Sequence, residues 1–179
     1  IEGERSQWMI EDARDLIVRE YAGQSLILIK DPRIALLAPL WHAALALAGY
    51  RTVYLVPLRH PAEVAHSLLA RGDMGFDKGV RLWHHYLTGI VQFTETVPES
   101  AFISFDALLA DWRAVIGDIA ARFKLPFDLD SAAAQIDSFL DPAARRRLAD
   151  LDLPADLLER SELARAVNLY HELAARCQA

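Results

Sequence analysis

Cysteine is nearly absent from this chain of 179 residues, since Cys177 is its only one. A single thiol excludes an internal disulfide framework and is typical of proteins that fold in a reducing compartment, so we expect a cytoplasmic protein. A positive charge excess is also missing. The formal net charge of −6 disfavours a broad binding surface for nucleic acid, although a local cluster of cations is sufficient for a small anionic ligand.

Long hydrophobic runs are missing as well. The longest apolar stretch, residues 34–50, is interrupted by Pro39 and His42. It is slightly shorter than the roughly 20 residues that a membrane-spanning helix needs, so we predict a buried helix and no membrane span. No secretory signal is visible. The remaining composition, 53% hydrophobic and 25% charged, is that of a globular protein with a sizeable core.

Hydrophobic periodicity predicts an alternation of helices and strands in the first two thirds of the chain. Predicted helices cover residues 5–21, 34–48, 61–71, 77–96 and 106–123, and predicted strands cover 25–30, 52–58 and 101–105. The apolar runs at 25–30 and 52–58 are typical of central strands covered on both faces, although Pro57 indicates that the second ends at the rim of the sheet. After Pro126 the pattern is helical throughout, over residues 131–140, 142–150 and 155–176.

This alternation predicts an α/β fold, with a parallel sheet of three visible strands flanked by helices and an all-helical C-terminal part. Residues 1–179 are interpreted as a single domain, and residues 127–179 as its helical extension. Three strands covered on both faces make a thin sheet, so a further strand is expected on the N-terminal side and the domain is expected to be incomplete there. An absent neighbour would leave an exposed sheet edge or an apolar groove.

The strongest functional signal is the segment LRHPAEVAHSL at residues 58–68. Arg59 follows a predicted strand and a helix begins at Pro61, so the arginine is expected at the carboxyl edge of the sheet, where open parallel sheets bind ligands. The start of a helix also favours an anion. Ser67 lies about two turns from His60 on the same helix face, so Arg59 and Ser67 are expected to hold one phosphate. The alternative is a surface ion pair and a serine facing solvent.

A second motif, Lys-Asp-Pro-Arg at residues 30–33, ends the preceding predicted strand. Lys30 is therefore expected at the same sheet edge as Arg59. Pro32 keeps Asp31 out of the helical region, which predicts a tight corner between strand and helix. The same four residues are also a common turn composition, so a purely structural reading stays open.

In order and spacing these two motifs resemble those of the sulfotransferases that use 3′-phosphoadenosine 5′-phosphosulfate, in particular a bacterial branch with a Lys-Asp-Pro-Arg strand end. The 3′-phosphate signature of that family is an arginine after a central strand and a serine eight residues later, which Arg59 and Ser67 match. The resemblance continues through GVRLWHHY at residues 79–86 and ISFDALLADW at residues 103–112. It covers residues 24–126.

The resemblance implies a P-loop-NTPase-like fold and transfer of a sulfuryl group from 3′-phosphoadenosine 5′-phosphosulfate to the hydroxyl or amine of a small-molecule or saccharide acceptor. It assigns the 3′-phosphate to Arg59 and Ser67, and adenine packing to Phe105, which replaces the family's tyrosine. Lys30 would stabilise the charge that develops on the bridging oxygen. Cytosolic members have a histidine as general base where this chain has Pro32, so the candidates for the base are Asp31 and a residue of the segment expected to be missing on the N-terminal side. No metal cofactor is implied.

Two departures from the family keep other functions open. The glycine-, serine- and threonine-rich loop that binds the 5′-phosphosulfate has no counterpart before Lys30, and the C-terminal Arg-Lys-Gly motif is absent. The glycine-rich residues 72–79 lack both the spacing of a phosphate loop and a strand before it. One alternative is an inactive nucleotide-binding or protein-interaction module on the same fold. Another is a fragment of a phosphate-loop kinase, which the arginine–serine spacing disfavours.

The histidines and tryptophans are interpreted as structural. His84 and His85 point about 100° apart on a helix, and the six-residue separation of His60 and His66 misses the spacing of a shared metal ion. His42, inside an apolar helix, is expected to be a hydrogen-bonded core residue. Three tryptophans on apolar helix faces are predicted to lie in the core: Trp41, Trp83 and Trp112.

Overall fold

The computed structural model of the chain describes residues 4–140 and 161–177. These residues form an α/β structure that is mostly helical, with one parallel sheet of two strands. The elements in chain order are α1 (Glu4–Tyr21), α2 (Ile34–Leu47), β1 (Tyr54–Leu58), α3 (Pro61–Ala70), α4 (Phe76–Thr94), β2 (Ser100–Ser104), α5 (Phe105–Ala110), α6 (Trp112–Phe123), α7 (Leu129–Phe139) and α8 (Ser161–Ala174). Among the described residues, no helix has the length and apolar character needed to cross a membrane.

The described residues divide into two compact units. Unit 1 contains residues 4–54 and 86–99, and unit 2 contains residues 55–85, 100–140 and 161–177. Each unit is built around its own set of buried apolar side chains. The expectation of a single domain over residues 1–179 stays a prediction.

Unit 1 is organised by the packing of α1 against α2. Ile17 on α1 and Leu40 and Ala44 on α2 are buried. The Tyr50 hydroxyl shares its proton between the carbonyl oxygens of Tyr21, the last residue of α1, and Gln24, each 3.1 Å away, which fixes the chain after α2 against the end of α1. His42 Nδ1 lies 3.0 Å from the Tyr54 hydroxyl oxygen, which confirms the predicted hydrogen bonding, although His42 is only half-buried and not a core residue.

Unit 2 is organised by the sheet and by the first half of α4. Leu58, Ala101 and Ile103 place buried side chains on the strands. Along the part of α4 that belongs to unit 2, buried residues recur at helical spacing: Phe76, Val80 and Trp83. Burial of Trp83 and Trp112 confirms two of the three tryptophan predictions, whereas Trp41 is only half-buried.

α3 begins where the sequence predicts, because three local features act together at its first turn. Pro61 occupies the first helical position, where its missing N–H costs nothing. The N-cap is His60, whose Nδ1 accepts a hydrogen bond from the Ala62 N–H at 3.2 Å. Glu63, in the same turn, places a carboxylate at the positive end of the helix dipole. The short connection between β1 and α3 therefore has a fixed geometry.

The predicted strand at residues 25–30 is wrong. These residues connect α1 to α2 without entering the sheet, so the sheet has two strands where three were predicted. Leu26 is 43% exposed and Leu28 is 84% exposed, so the run is not covered on both faces. A continuous apolar run shows only that the side chains are hydrophobic. A strand also needs a neighbouring strand that pairs with its backbone. Within the described residues, no such neighbour pairs with this run.

The single helix predicted over residues 106–123 is interrupted. α5 ends at Ala110 and α6 begins at Trp112, because Asp111 leaves the helical conformation and caps the second helix. Its Oδ1 accepts a hydrogen bond from the Ala114 N–H at 3.0 Å. An aspartate inside an apolar periodic pattern is compatible with both a helix interior and a cap, so periodicity alone does not reveal this break.

The remaining helices agree with their predictions to within a few residues, with two qualifications. α2 was predicted to be buried on all sides, yet it exposes Leu36, Leu37 and Leu47. α8 agrees with the later part of the predicted helix 155–176. The helix predicted over residues 142–150 lies outside the described residues.

Candidate functional site

Arg59 follows the last residue of β1 and precedes the N-cap of α3. The Arg59 carbonyl oxygen accepts a hydrogen bond from the Trp83 indole N–H at 3.1 Å, so α4 fixes the backbone at this corner. The arginine therefore lies between a strand end and a helix start. An anion at such a position meets both a guanidinium and the positive end of the α3 dipole.

Two neighbours orient the Arg59 guanidinium. Its Nε donates a hydrogen bond to Glu63 Oε2 at 3.0 Å, and the Glu63 side chain is buried. Its central carbon lies 5.1 Å from the centre of the Phe105 ring, within the range of a cation–π interaction. The structure thus brings together two of the three residues predicted to bind the nucleotide. It adds a carboxylate that the sequence analysis did not single out.

Ser67 lies one turn beyond Glu63 on α3. Residues four apart on a helix share a face, so Glu63 and Ser67 lie on the same side of α3. The Ser67 side chain is half-buried. The pair of residues predicted to hold one phosphate therefore has a carboxylate close by, because Glu63 contacts Arg59 and lies one turn before Ser67.

His60 and His66 lie on the same segment and add polar groups near the corner. Burial lowers the pKa of His60, while the charge of Glu63 opposes that shift and His171 adds to it. The His60 ring lies edge-on to the Tyr170 ring of α8, with 5.0 Å between ring centres. His66 Nδ1 is buried and has no hydrogen-bond partner in the described part of the chain. A neutral His60 suits its role as a hydrogen-bond acceptor at the helix start.

Lys30 and Asp31 belong to unit 1, whereas Arg59, Ser67 and Phe105 belong to unit 2. Lys30 is exposed and follows a segment that is not a strand, so the predicted strand-end position of this lysine is wrong. Asp31 is held by its neighbour: its Oδ1 accepts hydrogen bonds from the Arg33 backbone N–H at 2.8 Å and from Arg33 Nε at 2.9 Å. The tight corner before α2 is present, and this aspartate and arginine stabilise it.

The Arg33 guanidinium lowers the pKa of Asp31 to about 2, through side-chain hydrogen bonds first and the backbone hydrogen bond second. A carboxylate with so low a pKa is ionised at neutral pH but is a weak proton acceptor. This environment does not favour Asp31 as the general base that the resemblance suggested.

Two surface grooves lie away from these residues. A groove of about 680 Å³ in unit 1 is lined by α1 and α2, including Ile10, Arg14 and Leu47. A smaller one of about 280 Å³ in unit 2 is lined by four polar side chains: Arg81, His84, Glu162 and Arg165. Neither groove includes Arg59, Ser67 or Phe105 among its lining residues. Among residues 4–140 and 161–177, no three His, Cys, Asp or Glu side chains are grouped to hold a metal ion.

Two residues of this corner were not identified as functional from the sequence. Glu63 had a usable signal, since an arginine and a glutamate four positions apart at a helix start are expected to pair. Trp83 had none, because its contact with Arg59 joins residues 24 positions apart. Its apolar helix face predicted a core position, and the hydrogen bond is decided by tertiary packing.

Comparison of the chain with protein-family models, with curated proteins and with solved structures finds no match. The resemblance to sulfotransferases therefore rests on the sequence motifs within residues 24–126.

Proposed function

We propose that unit 2 binds the 3′-phosphate of an adenine nucleotide at Arg59 and Ser67. We propose further that the chain is a sulfotransferase, or part of one, with 3′-phosphoadenosine 5′-phosphosulfate as the sulfuryl donor. The observation that carries the proposal is the position of Arg59 between the end of β1 and the start of α3, with its guanidinium against Phe105. The acceptor would be a hydroxyl or amine of a small molecule or saccharide.

The chemistry of this corner suits a phosphate monoester. A guanidinium offers a planar fork of N–H donors that matches phosphate oxygens, and the first turn of α3 adds a positive dipole end. Ser67 would contribute one hydroxyl donor from the same helix face. Phe105 supplies an aromatic ring next to the phosphate site, which is the type of surface on which an adenine packs.

Transfer of a sulfuryl group from a phosphosulfate depends mainly on positioning and on stabilising the charge of the leaving group. In this proposal Lys30 supplies that positive charge. Asp31 is a weak base at neutral pH, so its role would be to fix the corner that carries Lys30.

Calorimetric titration with adenosine 3′,5′-bisphosphate and with adenosine 5′-phosphate tests the nucleotide site. Charge-assisted contacts are worth about 1.5–3 kcal/mol each, so Arg59→Ala should weaken binding of the bisphosphate by about tenfold or more. Ser67→Ala should weaken it by a smaller factor. Binding of the 5′-phosphate should be weaker and should change little in either variant.

Arg71→Ala is the matched control, because Arg71 lies at the other end of α3 in an exposed ion pair with Asp73. It should leave both affinities unchanged. Equal binding of the two nucleotides by the unmodified chain, or equal losses from Arg59→Ala and Arg71→Ala, would refute the proposed site.

One observation favours the alternative of an inactive nucleotide-binding module. Residues 25–30 do not join the sheet, so the fold does not hold Lys30 at a strand end. A radiolabelled sulfuryl donor distinguishes the two functions. Transfer to an added phenol or sugar that is lost in Lys30→Ala supports the enzyme, whereas selective nucleotide binding without transfer supports the module.

A further inference from the structure

We infer that Glu63 is a positioning residue of the nucleotide site: it holds the Arg59 guanidinium against Phe105 and thereby produces selectivity for a 3′-phosphate. The inference rests on the proposed function, and its test separates the two. Glu63 touches no ligand in this role and acts through Arg59.

Burial and pairing of Glu63 are the first support. The residue is only 6% exposed, and buried carboxylates require a partner because isolated charges are costly to remove from water. Its partner is Arg59, four residues earlier, with Oε2 accepting from Nε at 3.0 Å. An exposed glutamate would give a loose, solvent-screened contact, but a buried one restricts the arginine to a narrow set of rotamers.

The second support is that other contacts restrict the same arginine. The Phe105 ring covers one face of the guanidinium at 5.1 Å, and the Trp83 indole N–H holds the Arg59 carbonyl at 3.1 Å. Three elements therefore constrain Arg59: α4 holds its backbone, α5 covers the face of its guanidinium, and α3 binds the edge of its guanidinium. An arginine ordered before binding loses less side-chain entropy when a phosphate arrives, and this increases affinity.

The negative charge of Glu63 disfavours a bound phosphate, whereas its position favours binding because it orients Arg59. The carboxylate lies one helical turn from Ser67, on the face where the phosphate is proposed, and like charges repel at that range. The useful part of Glu63 is thus its oxygen, which orients Arg59. Glutamine retains an oxygen acceptor at the same position without the negative charge, so Glu63→Gln and Glu63→Ala are expected to differ.

The test compares affinities for adenosine 3′,5′-bisphosphate and adenosine 5′-phosphate in the unmodified chain, Glu63→Ala and Glu63→Gln. Selectivity is the dissociation constant for adenosine 5′-phosphate divided by the dissociation constant for adenosine 3′,5′-bisphosphate. Glu63→Ala should reduce this ratio by about tenfold, as expected from the loss of one well-oriented charge-assisted contact. Glu63→Gln should retain the ratio or increase it. Glu162→Ala, which removes the exposed carboxylate paired with Arg81, is the control and should leave it unchanged.

Circular dichroism and thermal unfolding accompany each titration, because loss of Glu63 also removes an acidic residue from the first turn of α3. If Glu63→Ala does not fold, Glu63→Met takes its place, because methionine fills a similar volume without an oxygen that accepts from Arg59 Nε. Glu63→Met should lower selectivity several-fold while Glu63→Gln retains it.

The measured selectivities distinguish a failure of the proposed function from a failure of the positioning role of Glu63. An unmodified chain without selectivity refutes the proposed function itself. An unmodified chain that is selective, with a folded Glu63→Ala that is equally selective, refutes only the positioning role. A Glu63→Gln variant that loses as much selectivity as Glu63→Ala also refutes that role, because it would show that charge matters and orientation does not.

Discussion

Asp31 and Glu63 are both carboxylates paired with an arginine, but their surroundings give the two pairs different consequences. The pair of Asp31 and Arg33 is open to solvent on the arginine side, and such pairs contribute little to stability. Glu63 is buried, so its contact with Arg59 offsets part of the cost of holding a charge away from water. Side-chain burial is what separates a local turn contact from a contact on which a binding site depends.

Arg33→Ala should raise the pKa of Asp31 from about 2 towards its ordinary value of 3.8. The largest cause of the low value is the side-chain hydrogen bond from Arg33, and the substitution removes it. Because the folded-state pKa is lowered, any stability from this pair is present above pH 3.8 and is lost as the pH falls towards 2. Side-chain carboxyl chemical shifts followed from pH 6 to 2 by NMR measure the change. An unchanged midpoint would mean that Arg33 is not the cause.

At the level of elements, α3 and α4 approach each other closely through Gly79. A Cβ atom at position 79 would lie 3.0 Å from the Ala65 Cα and 3.1 Å from its Cβ. Ala65 is fully buried on α3, so its backbone has no room to move. One turn later, Trp83 on the same helix bonds the Arg59 carbonyl. The small residue at position 79 therefore sets the distance at which α4 supports the candidate site.

Gly79→Ala and Gly89→Ala should have opposite effects on stability, although both replace a glycine inside α4. At position 89 an added Cβ meets nothing within 4 Å, so the better helix propensity of alanine should stabilise by about 0.5–1 kcal/mol. At position 79 overpacking against α3 should outweigh that gain, for a net loss of about 1 kcal/mol or more. Urea unfolding measures both. Stabilisation by Gly79→Ala would show that the two helices separate easily.

At the level of the whole molecule, the described surface includes apolar side chains on α1, α2 and their connection. Leu28 is 84% exposed, whereas Leu40 on α2 is 5% exposed. An exposed apolar segment with unpaired backbone groups favours association between chains. The net charge of −6 opposes such association at neutral pH and low salt.

Leu28→Ser should reduce light scattering on heating and at high salt, with a change in unfolding free energy of no more than about 0.5 kcal/mol. Leu40→Ala is the comparison in the same unit, and the loss of its buried side chain should destabilise by about 2–5 kcal/mol. A Leu28→Ser variant that is as destabilised as Leu40→Ala would mean that the connection is packed rather than exposed.

Particular residues show how far the sequence alone predicted this fold and site. The start of α3 was predictable, because Pro61 and the polar residue before it determine a helix terminus locally. The contact of Arg59 with Phe105 was not predicted, since 46 positions separate the two residues; the family resemblance assigned both to the nucleotide without placing them in contact. The strand at residues 25–30 was predicted wrongly, because Leu26 and Leu28 indicate burial but do not specify a pairing partner.

The sequence by itself determined the α/β character, most helix positions, the two strands of the sheet and the placement of an arginine between β1 and α3. These follow from periodicity and from capping residues, which act over a few positions of the chain. The tertiary structure decided which apolar run enters the sheet, where the helix after β2 is broken, and which side chains hold Arg59. Those outcomes depend on contacts between distant residues, such as Trp83 with Arg59. Periodicity along the chain does not contain that information.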